Sequence, residues 1–585
     1  MRFSGRYEGY NVKSLQKDLI SGLIVGIVAI PLGMAFAIAS GVKPEYGLFT
    51  VIVAGILISL FGGSKFQIGG PTGAFIPILF GIVMQYGYDN LLIAGFMAGV
   101  LIFFMGVFKL GGVIKFIPRP VTIGFTTGIA VTIFAGQIGN FLGLTGLSKH
   151  ESFLANMKEL GTHLYRTNMY SVLTAAICLT ALLLTPRLLP KVPGSLMGLL
   201  LSTVVASVFF PDQVATIGST YGAIPRSLPS IHFPAITLEN IQHLIKPAFV
   251  IAMLGGIESL LSAVVADGMS GTRHNSNREL IGQGIANMIT PLFGGIPATG
   301  AIARTATNIK SGAVSPFSGI IHGIVVLMVL FLFAPYASRI PLASMAPILM
   351  MVAWNMSERK EFAHVLRTKS AESAVLVITF VLTVFTDLTT AVEAGLILSG
   401  IIFVKHMSEL LTTAKVLPDP NSRNEEVAAH MVQEQHNCPQ ISIYTVEGAL
   451  FFGVANMFEK SIMDEIHYKP KVLILKMNNV PYMDNTGESN LASLVKHFKK
   501  HGGTLFISEI QNQPRLVLSK TGLDELIGQE HFFDKTGEAI SAALTKINHG
   551  QCRGCRHFAF HECQQLASLD PKEKARLNGW AQLNK

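Results

Sequence analysis

Apolar stretches recur along the first 412 residues, and few charges lie within them. They predict about fourteen membrane segments, several of them shorter than the roughly 20 residues of a full transmembrane helix. The predicted segments are 19–40, 46–62, 71–86, 91–109, 120–144, 170–186, 193–210, 247–266, 279–294, 298–311, 316–335, 341–356, 371–387 and 389–411. Residues 1–412 are therefore predicted to form an α-helical domain that crosses the lipid bilayer many times.

Two short motifs interrupt this pattern about 227 positions apart, Gly70-Pro71-Thr72-Gly73-Ala74 and Pro297-Ala298-Thr299-Gly300-Ala301. Since proline and glycine disfavour helix interiors, each motif predicts a helix that begins inside the membrane. Paired broken helices are typical of substrate sites in secondary transporters, and their free N–H groups attract anions. The predicted substrate-binding residues are Thr72, Gly73, Ala74, Thr299, Gly300 and Ala301.

One acidic residue, Glu258, lies in an otherwise uncharged stretch at 252–263. An ionisable side chain at membrane depth is costly, so it indicates function by default. A carboxyl group shielded from water can carry a proton near neutral pH, and Glu258 is therefore the predicted site of the coupling ion. Ser262 lies one turn further on the same helix face and completes this predicted site. The alternative is a neutral glutamic acid that only joins two helices.

One basic residue, Arg304, follows the second motif and is the only charge between Glu279 and Lys310. Together with two helix N-termini, a guanidinium makes a positive pocket suited to an oxyanion. We therefore add Arg304 to the predicted substrate site. The alternative is a structural arginine that pairs with Glu258 or with a helix end.

Composition and charge placement agree with a membrane protein. Half of the 585 residues are hydrophobic and 14% are charged, whereas about 25% are charged in soluble domains. Basic residues follow the even-numbered segments, for example Lys109 after the fourth and Arg359 after the twelfth, which predicts cytoplasmic termini. The expected location is a bacterial inner membrane. Basic runs with interleaved aromatics, which would indicate nucleic-acid binding, are absent from the sequence. No nucleophile–base arrangement indicates an enzyme.

The composition changes after residue 412. Residues 413–437 are polar and contain two prolines, which predicts a linker, and 438–548 alternate between strand and helix patterns. We predict a small cytoplasmic α/β domain over 438–548 with a partly parallel sheet. Its motif Asp484-Asn485-Thr486-Gly487 predicts either an anion or phosphorylation site, or a helix cap made by Asn485 or Thr486.

The tail at 549–585 is rich in cysteine and histidine. Two cysteines separated by two residues and followed closely by His and Cys are typical of a compact zinc site. The predicted ligands are Cys552, Cys555, His561 and Cys563, with His557 between them. The alternative is a reduced tail that binds no metal, and no other cofactor is expected.

The chain resembles the SulP sulfate-permease family, most closely the bacterial branch that includes proton-coupled C4-dicarboxylate carriers. The residues that carry the resemblance are 31–39, 70–73, 118–125, 258–269, 282–316 and 351–358, and residues 438–548 resemble a STAS domain. The resemblance implies two inverted repeats of seven segments, core and gate subdomains, an elevator-like motion and homodimers. Glu258 matches the acidic coupling position, where Glu favours protons over sodium, and Arg304 matches the arginine of the anion site. Asn485 stands where anti-sigma-factor antagonists carry a phosphorylated serine.

The sequence therefore predicts a proton-driven secondary transporter of a small anion: sulfate, bicarbonate or a C4-dicarboxylate. Two alternatives stay open. The first is an uncoupled anion channel or exchanger on the same fold. The second is a membrane-anchored signalling scaffold whose STAS domain binds a cytosolic protein.

Overall fold

A computed structural model of the chain divides into two compact units, Met1–Ser399 and Gly400–Lys585. The residues that it describes are 10–112, 118–148, 150, 152–189, 192–227, 231, 237–386, 388–418, 427–428, 431–432, 437–453, 462, 470–553, 555–557 and 559–566.

Fourteen helices follow the fourteen predicted segments in the same order, which confirms the predicted helical membrane fold. They are α1 Val12–Ala39, α2 Pro44–Phe61, α3 Ile76–Tyr86, α4 Tyr88–Val107, α5 Arg119–Gly136, α6 Met169–Leu188, α7 Gly194–Phe209, α8 Leu238–Ser270, α9 Ser276–Ile289, α10 Ile302–Lys310, α11 Phe317–Ala337, α12 Leu342–Met356, α13 Ala371–Phe385 and α14 Leu388–Glu409. Eight helices within the described residues are long and apolar enough to span a bilayer. The others include α3 and α10, which follow the two interrupting motifs.

Shorter helices occupy the connections. They are Ile138–Leu142, Phe153–His163, Ile217–Tyr221 and Arg359–Arg367, with 3-10 turns at Gly73–Phe75, Leu164–Arg166 and Thr290–Phe293. The largest boundary error concerns α8, which begins at Leu238 and not at 247. The side chain of Thr237 accepts a hydrogen bond from the Asn240 N–H and caps the helix start there, and the helix continues through Pro247.

The helices pack in two groups. In the first group, α1 and α2 pack on α11, while α8 and α9 pack on α4; in the second, α5 packs on α13 and α12 packs on α6. Each pairing has a counterpart in which seven is added to one helix number and subtracted from the other. For example, the pairing of α1 with α11 corresponds to that of α8 with α4. Since a repeat of seven spans is odd, the second copy crosses the membrane in the opposite direction. This is the architecture of two inverted repeats with core and gate groups.

Two short strands lie in the membrane unit, β1 Gly69–Gly70 and β2 Thr299–Gly300. The C-terminal unit is built on a six-stranded sheet whose strands are β3 Thr412–Pro418, β4 Val427–Ala428, β5 Ile441–Glu447, β6 Val472–Asn479, β7 Thr504–Ser508 and β8 Phe532–Phe533. They are arranged in the order β4-β3-β5-β6-β7-β8. Its helices are α15 Asn485–Lys500, α16 Asn512–Thr521, α17 Leu523–Ile527, α18 Thr536–Lys546, α19 His549–Cys552 and α20 Cys563–Leu566, with a 3-10 turn at Gln529–His531. Strands β5 to β8 are parallel, and β3 is antiparallel to β5. The predicted α/β domain with a partly parallel sheet is therefore confirmed.

The predicted linker at 413–437 is wrong at its start, because β3 occupies Thr412–Pro418 and pairs with β5. Val416 and Leu417 are buried in the core of the unit, while Pro418 ends the strand. A proline at a strand end has the same sequence pattern as a linker, although here it only terminates β3. The cap of α15 also differs from the prediction. Asp484, and not Asn485 or Thr486, accepts hydrogen bonds from the Thr486 and Gly487 N–H groups at 2.9 and 2.8 Å.

Helix α4 approaches α9 closely at Gly99. A Cβ atom there would lie 2.6 Å from the backbone nitrogen of Met288, so the two backbones pack in contact. Small residues commonly permit such approaches between membrane helices. Gly136, at the end of α5, has open space where a Cβ would be.

We therefore expect Gly99→Ala to separate α4 from α9 and to cost about 1–3 kcal/mol of stability through overpacking. Thermal unfolding of the purified protein in detergent, followed by size-exclusion chromatography, should show a lower midpoint. Gly136→Ala is the matched control and should leave the midpoint unchanged. Equal midpoints for the wild type and Gly99→Ala would contradict the close packing.

Candidate functional site

The two interrupting motifs meet as a pair of short extended strands. Strand β1, Gly69–Gly70, is antiparallel to β2, Thr299–Gly300, with Gly69 opposite Gly300 and Gly70 opposite Thr299. The Ala301 N–H extends the pairing by donating to the Ile68 carbonyl at 2.8 Å. Helix α3 with its 3-10 turn begins just after Thr72, and α10 begins just after Ala301. The N-terminal ends of the two half-helices therefore lie next to each other.

Side chains of neighbouring helices bind the backbone around these strands. The side chain of Asn287 on α9 accepts a hydrogen bond from the Ala298 N–H and donates one to the Ala298 carbonyl, both at 2.8 Å. The Gly300 N–H donates to the Ser259 hydroxyl at 3.1 Å, and the Ile68 N–H donates to the Thr305 hydroxyl at 3.0 Å. Extended backbone at membrane depth is tolerated only where protein groups satisfy it. These contacts fix the position of the motifs.

The carboxylate of Glu258 lies directly against the two motifs. Thr72 donates a hydrogen bond to its Oε2 atom at 2.8 Å, and Thr299 donates to the same atom at 3.2 Å. One threonine comes from each broken segment, and Glu258 comes from the middle of α8. The side chains of Glu258 and Thr72 are partly exposed, whereas Thr299 is fully buried. One carboxylate oxygen thus joins both halves of the membrane unit.

The guanidinium of Arg304 lies beside the same strands and is 2% exposed. Its Nη2 atom donates to the Pro71 carbonyl, while its Nη1 atom is buried without a hydrogen-bond partner in the described part of the chain. Among the described residues, no carboxylate forms a salt bridge with Arg304, so it does not pair with Glu258, which was one of the two partners in the structural alternative. A buried cation with a free donor favours an anionic partner.

Gly70 leaves the room that Arg304 occupies. Its φ is +149°, and a Cβ atom there would lie 2.6 Å from Arg304 Nη1. Residues other than glycine rarely adopt this backbone conformation, and a side chain at this position would have to displace the guanidinium. Glycine at this position thus places the arginine next to the paired strands.

The remaining predicted residues are distributed around this centre. Gly73 and Ala74 form the turn that starts the first half-helix, while Gly300 and Ala301 lead into the second. Ser262 donates to the Thr305 hydroxyl at 3.3 Å, and no hydrogen bond to Glu258 is seen in the described chain. Ser262 therefore supports β1 through Thr305.

Sequence reasoning missed Glu279, whose carboxylate is fully buried. Its Oε2 atom accepts hydrogen bonds from the N–H groups of Gly63 and Ser64 at 2.7 and 3.0 Å. Its Oε1 atom accepts hydrogen bonds from the side-chain amides of Gln67 and Gln283 at 2.9 and 3.0 Å. The available signal was an acidic residue at the start of an apolar segment, where it looked like a solvent-facing end. Glu279 instead anchors the chain that leads into β1.

Comparison with known proteins decides the family. The model of the sulfate permease family matches residues 15–379, and that of the STAS domain matches residues 430–539. The chain belongs to the sulfate permease family. YvdB of Bacillus subtilis (strain 168) is 59% identical over 538 residues, which are 92% of this chain and 99% of YvdB. The bicarbonate transporter BicA of Picosynechococcus sp. is 29% identical over 556 residues, 92% of this chain and 96% of BicA.

The solved structures agree with this assignment. The anion transporter Slc26a9 of the mouse, in its inward-facing state, has a TM-score of 0.83 at 19% identity and covers 92% of both chains. At this identity the likeness shows the fold. The family match and the relatives, which are named as transporters, confirm that this member of the sulfate permease family is a transmembrane transporter with a STAS domain and not an enzyme.

We expect Gly70→Ala to displace the Arg304 guanidinium and to weaken anion binding in the same direction as Arg304→Ala. A charge-assisted contact is worth about 1.5–3 kcal/mol, so Arg304→Ala should weaken the affinity roughly ten- to a hundred-fold. Arg304→Lys should restore part of the loss, since the charge returns without the planar fork. Scintillation-proximity binding of labelled sulfate and bicarbonate would measure this.

The matched control is Gly81→Ala on α3, where a Cβ atom would meet nothing within 4 Å. This variant should bind like the wild type. An Arg304→Ala protein with unchanged affinity would show that the arginine only clamps the Pro71 carbonyl.

Proposed function

We propose that this protein is a secondary active transporter that moves a small oxyanion together with protons across a bacterial cytoplasmic membrane. The observation that carries the proposal is the shared hydrogen bonding of Thr72 and Thr299 to one oxygen of Glu258. It joins the titratable group to both broken segments, and these segments also place Arg304.

Proton and anion binding are coupled in this proposal through the two hydroxyl groups. An ionised Glu258 accepts the Thr72 hydroxyl hydrogen and competes for that of Thr299 with the Gly300 carbonyl, which lies 3.0 Å from the Thr299 hydroxyl, so neither hydroxyl is free to donate to a substrate. Protonation turns Oε2 into a poor acceptor and releases at least one hydroxyl hydrogen. A released threonine donates to an anion at the half-helix N-termini. Protonation also removes a negative charge that would repel the anion.

The substrate that we place first is sulfate, and bicarbonate comes second. The donors near the site are hydroxyl groups, backbone N–H groups at two helix starts and one guanidinium nitrogen, a set that suits tetrahedral or planar oxyanions. YvdB is named as a sulfate transporter, and BicA is named as a bicarbonate transporter. A C4-dicarboxylate, which the sequence also suggested, has no support from these names and stays a prediction.

The proposed transport motion is a movement of the first helix group against the second. Both half-helices and Glu258 belong to elements that pack in the first group, through α8 on α10 and α4 on α3. A substrate held there would move with that group as one body. We also propose cytoplasmic termini and a homodimer, and we keep the expectation that the STAS domain binds a cytosolic protein. These features follow from the charge pattern and the resemblance.

A direct experiment uses purified protein in proteoliposomes with labelled sulfate, bicarbonate and succinate. We expect an acidic exterior to drive sulfate accumulation inside the vesicles. A gradient-independent anion current would favour an uncoupled channel or exchanger. Dependence on sodium and not on pH would assign the coupling site to sodium, since carboxylate and hydroxyl oxygens also suit that ion. Absence of flux for every anion, with a tightly bound soluble partner, would favour the scaffold.

We expect Glu258→Gln to abolish proton-driven accumulation. The amide keeps the size of the side chain but cannot exchange a proton, and its Nε2 group does not accept the threonine hydroxyls. Counterflow of sulfate at equal pH on both sides should persist, because counterflow needs no net proton movement. Both rates would be measured in the same vesicle preparation.

Thr72→Ser is the control, because it keeps the hydroxyl that Glu258 accepts, whereas Thr72→Val removes it. Thr72→Ser should keep gradient-driven uptake, and Thr72→Val should lower it at least several-fold. Undiminished accumulation by Glu258→Gln would eliminate the proposed proton site.

A further inference from the structure

A small cavity in the C-terminal unit is lined by four of the five cysteines of the chain. Cys438 lies before β5, Cys552 ends α19, Cys555 follows it and Cys563 begins α20. All four thiols are free, and the cavity volume is about 30 Å³. Cys438 is far from the other three in sequence, so the fold brings this cluster together.

Hydrogen bonds fasten the two parts of the chain at this cavity. The Gln440 side chain accepts the Asn548 N–H at 2.8 Å and donates to the Asn548 carbonyl at 3.1 Å. Its amide nitrogen also lies 3.6 Å from the Cys552 sulfur. The Cys555 N–H donates to the Cys552 carbonyl at 3.1 Å, which closes a tight turn between these two cysteines. The start of β5 and the tail are thus held together beside the thiols.

The four thiols face one another across a single cavity, because Cys438, Cys552, Cys555 and Cys563 all line it. A divalent cation placed between such thiols favours their deprotonated form, because metal ligation deprotonates thiols.

The histidines of the tail differ in their surroundings. His557 lines the same cavity, and its Nδ1 atom is buried without a hydrogen-bond partner in the described residues. His561 is exposed and does not line the cavity. The cavity therefore contains three of the ligands that the sequence predicted, and Cys438 takes the place of His561.

We propose that Cys438, Cys552, Cys555 and Cys563 form a structural zinc site that ties the tail of the chain to the start of β5. Four thiolates are a common ligand set for closed, tetrahedral zinc sites. In the described chain, no three His, Cys, Asp or Glu side chains are yet arranged to hold a metal ion. Zinc binding therefore requires the four thiols to rotate about their Cα–Cβ bonds towards the cavity. His557 then donates to a ligand sulfur as an outer partner, a common arrangement around metal ligands.

The first experiment measures zinc by mass spectrometry in full-length protein purified in detergent, without chelator and with an affinity tag that lacks histidine. We expect about one zinc per chain in the wild type. Cys438→Ser and Cys563→Ser should each retain less than about a tenth of it. His561→Ala is the matched control and should retain all of it.

A second measurement protects the result against misfolded variants. Titration of the wild-type protein with a mercurial thiol reagent should release zinc as the four thiols react, and cobalt-substituted protein should show thiolate-to-metal charge-transfer absorption. A wild type without zinc would overturn the proposal. So would a titration that finds fewer than four free thiols because two of the cysteines form a disulfide. Full zinc in Cys438→Ser with loss in His557→Ala or His561→Ala would overturn it in favour of a site built from the tail alone.

Discussion

The antiparallel contact between residues 68–70 and 299–301 is the constraint on which the membrane unit depends. Unpaired extended backbone inside a bilayer is costly, and each of these segments supplies the hydrogen-bond partner of the other. The pairing sets where α3 and α10 begin, and it brings Thr72 and Thr299 to the same carboxylate. It also puts the Pro71 carbonyl next to Arg304. A change in register would separate all of these groups at once.

Much of the fold could be predicted from the sequence, because lipid imposes a simple rule on the chain. Apolar length and basic loops gave the order of the fourteen helices, and the two interrupted segments gave the places where helices begin late. The boundaries that failed were those set by single polar contacts. Thr237 starts α8 earlier than its apolar residues suggest. In the C-terminal unit, β3 was missed because its prolyl end resembles a linker, whereas its burial depends on pairing with β5.

The candidate site could be predicted only as far as its chemistry is local. Glu258 and Arg304 stand out as charges within apolar segments, and Thr72 and Thr299 stand out within the repeated motif. Their mutual geometry could not be read, since it depends on contacts across 186 positions for Thr72 and Glu258. The same limit applies to Ser262, whose place on the helix face suggested a contact with Glu258 but whose hydroxyl reaches Thr305. In the tail, three of the clustered cysteines are neighbours in sequence, while only the fold adds Cys438.

The shared hydroxyl groups also give a physical reason for tight coupling in the proposed cycle. An anion that approaches without a proton meets an ionised Glu258, whose oxygen already holds both threonine hydroxyls. It must then compete for donors and also bear the repulsion of a carboxylate at short range, where little water screens the charges. A proton that arrives alone removes the negative charge of Glu258 from the site while the Arg304 charge stays without an anion, and a buried unpaired cation is costly. The anion-only state therefore keeps the competition for the hydroxyls, and the proton-only state keeps a positive site without any negative charge. The doubly loaded state avoids both, and the empty, ionised state keeps the Glu258 charge in the site and has no anion to compete for the hydroxyls.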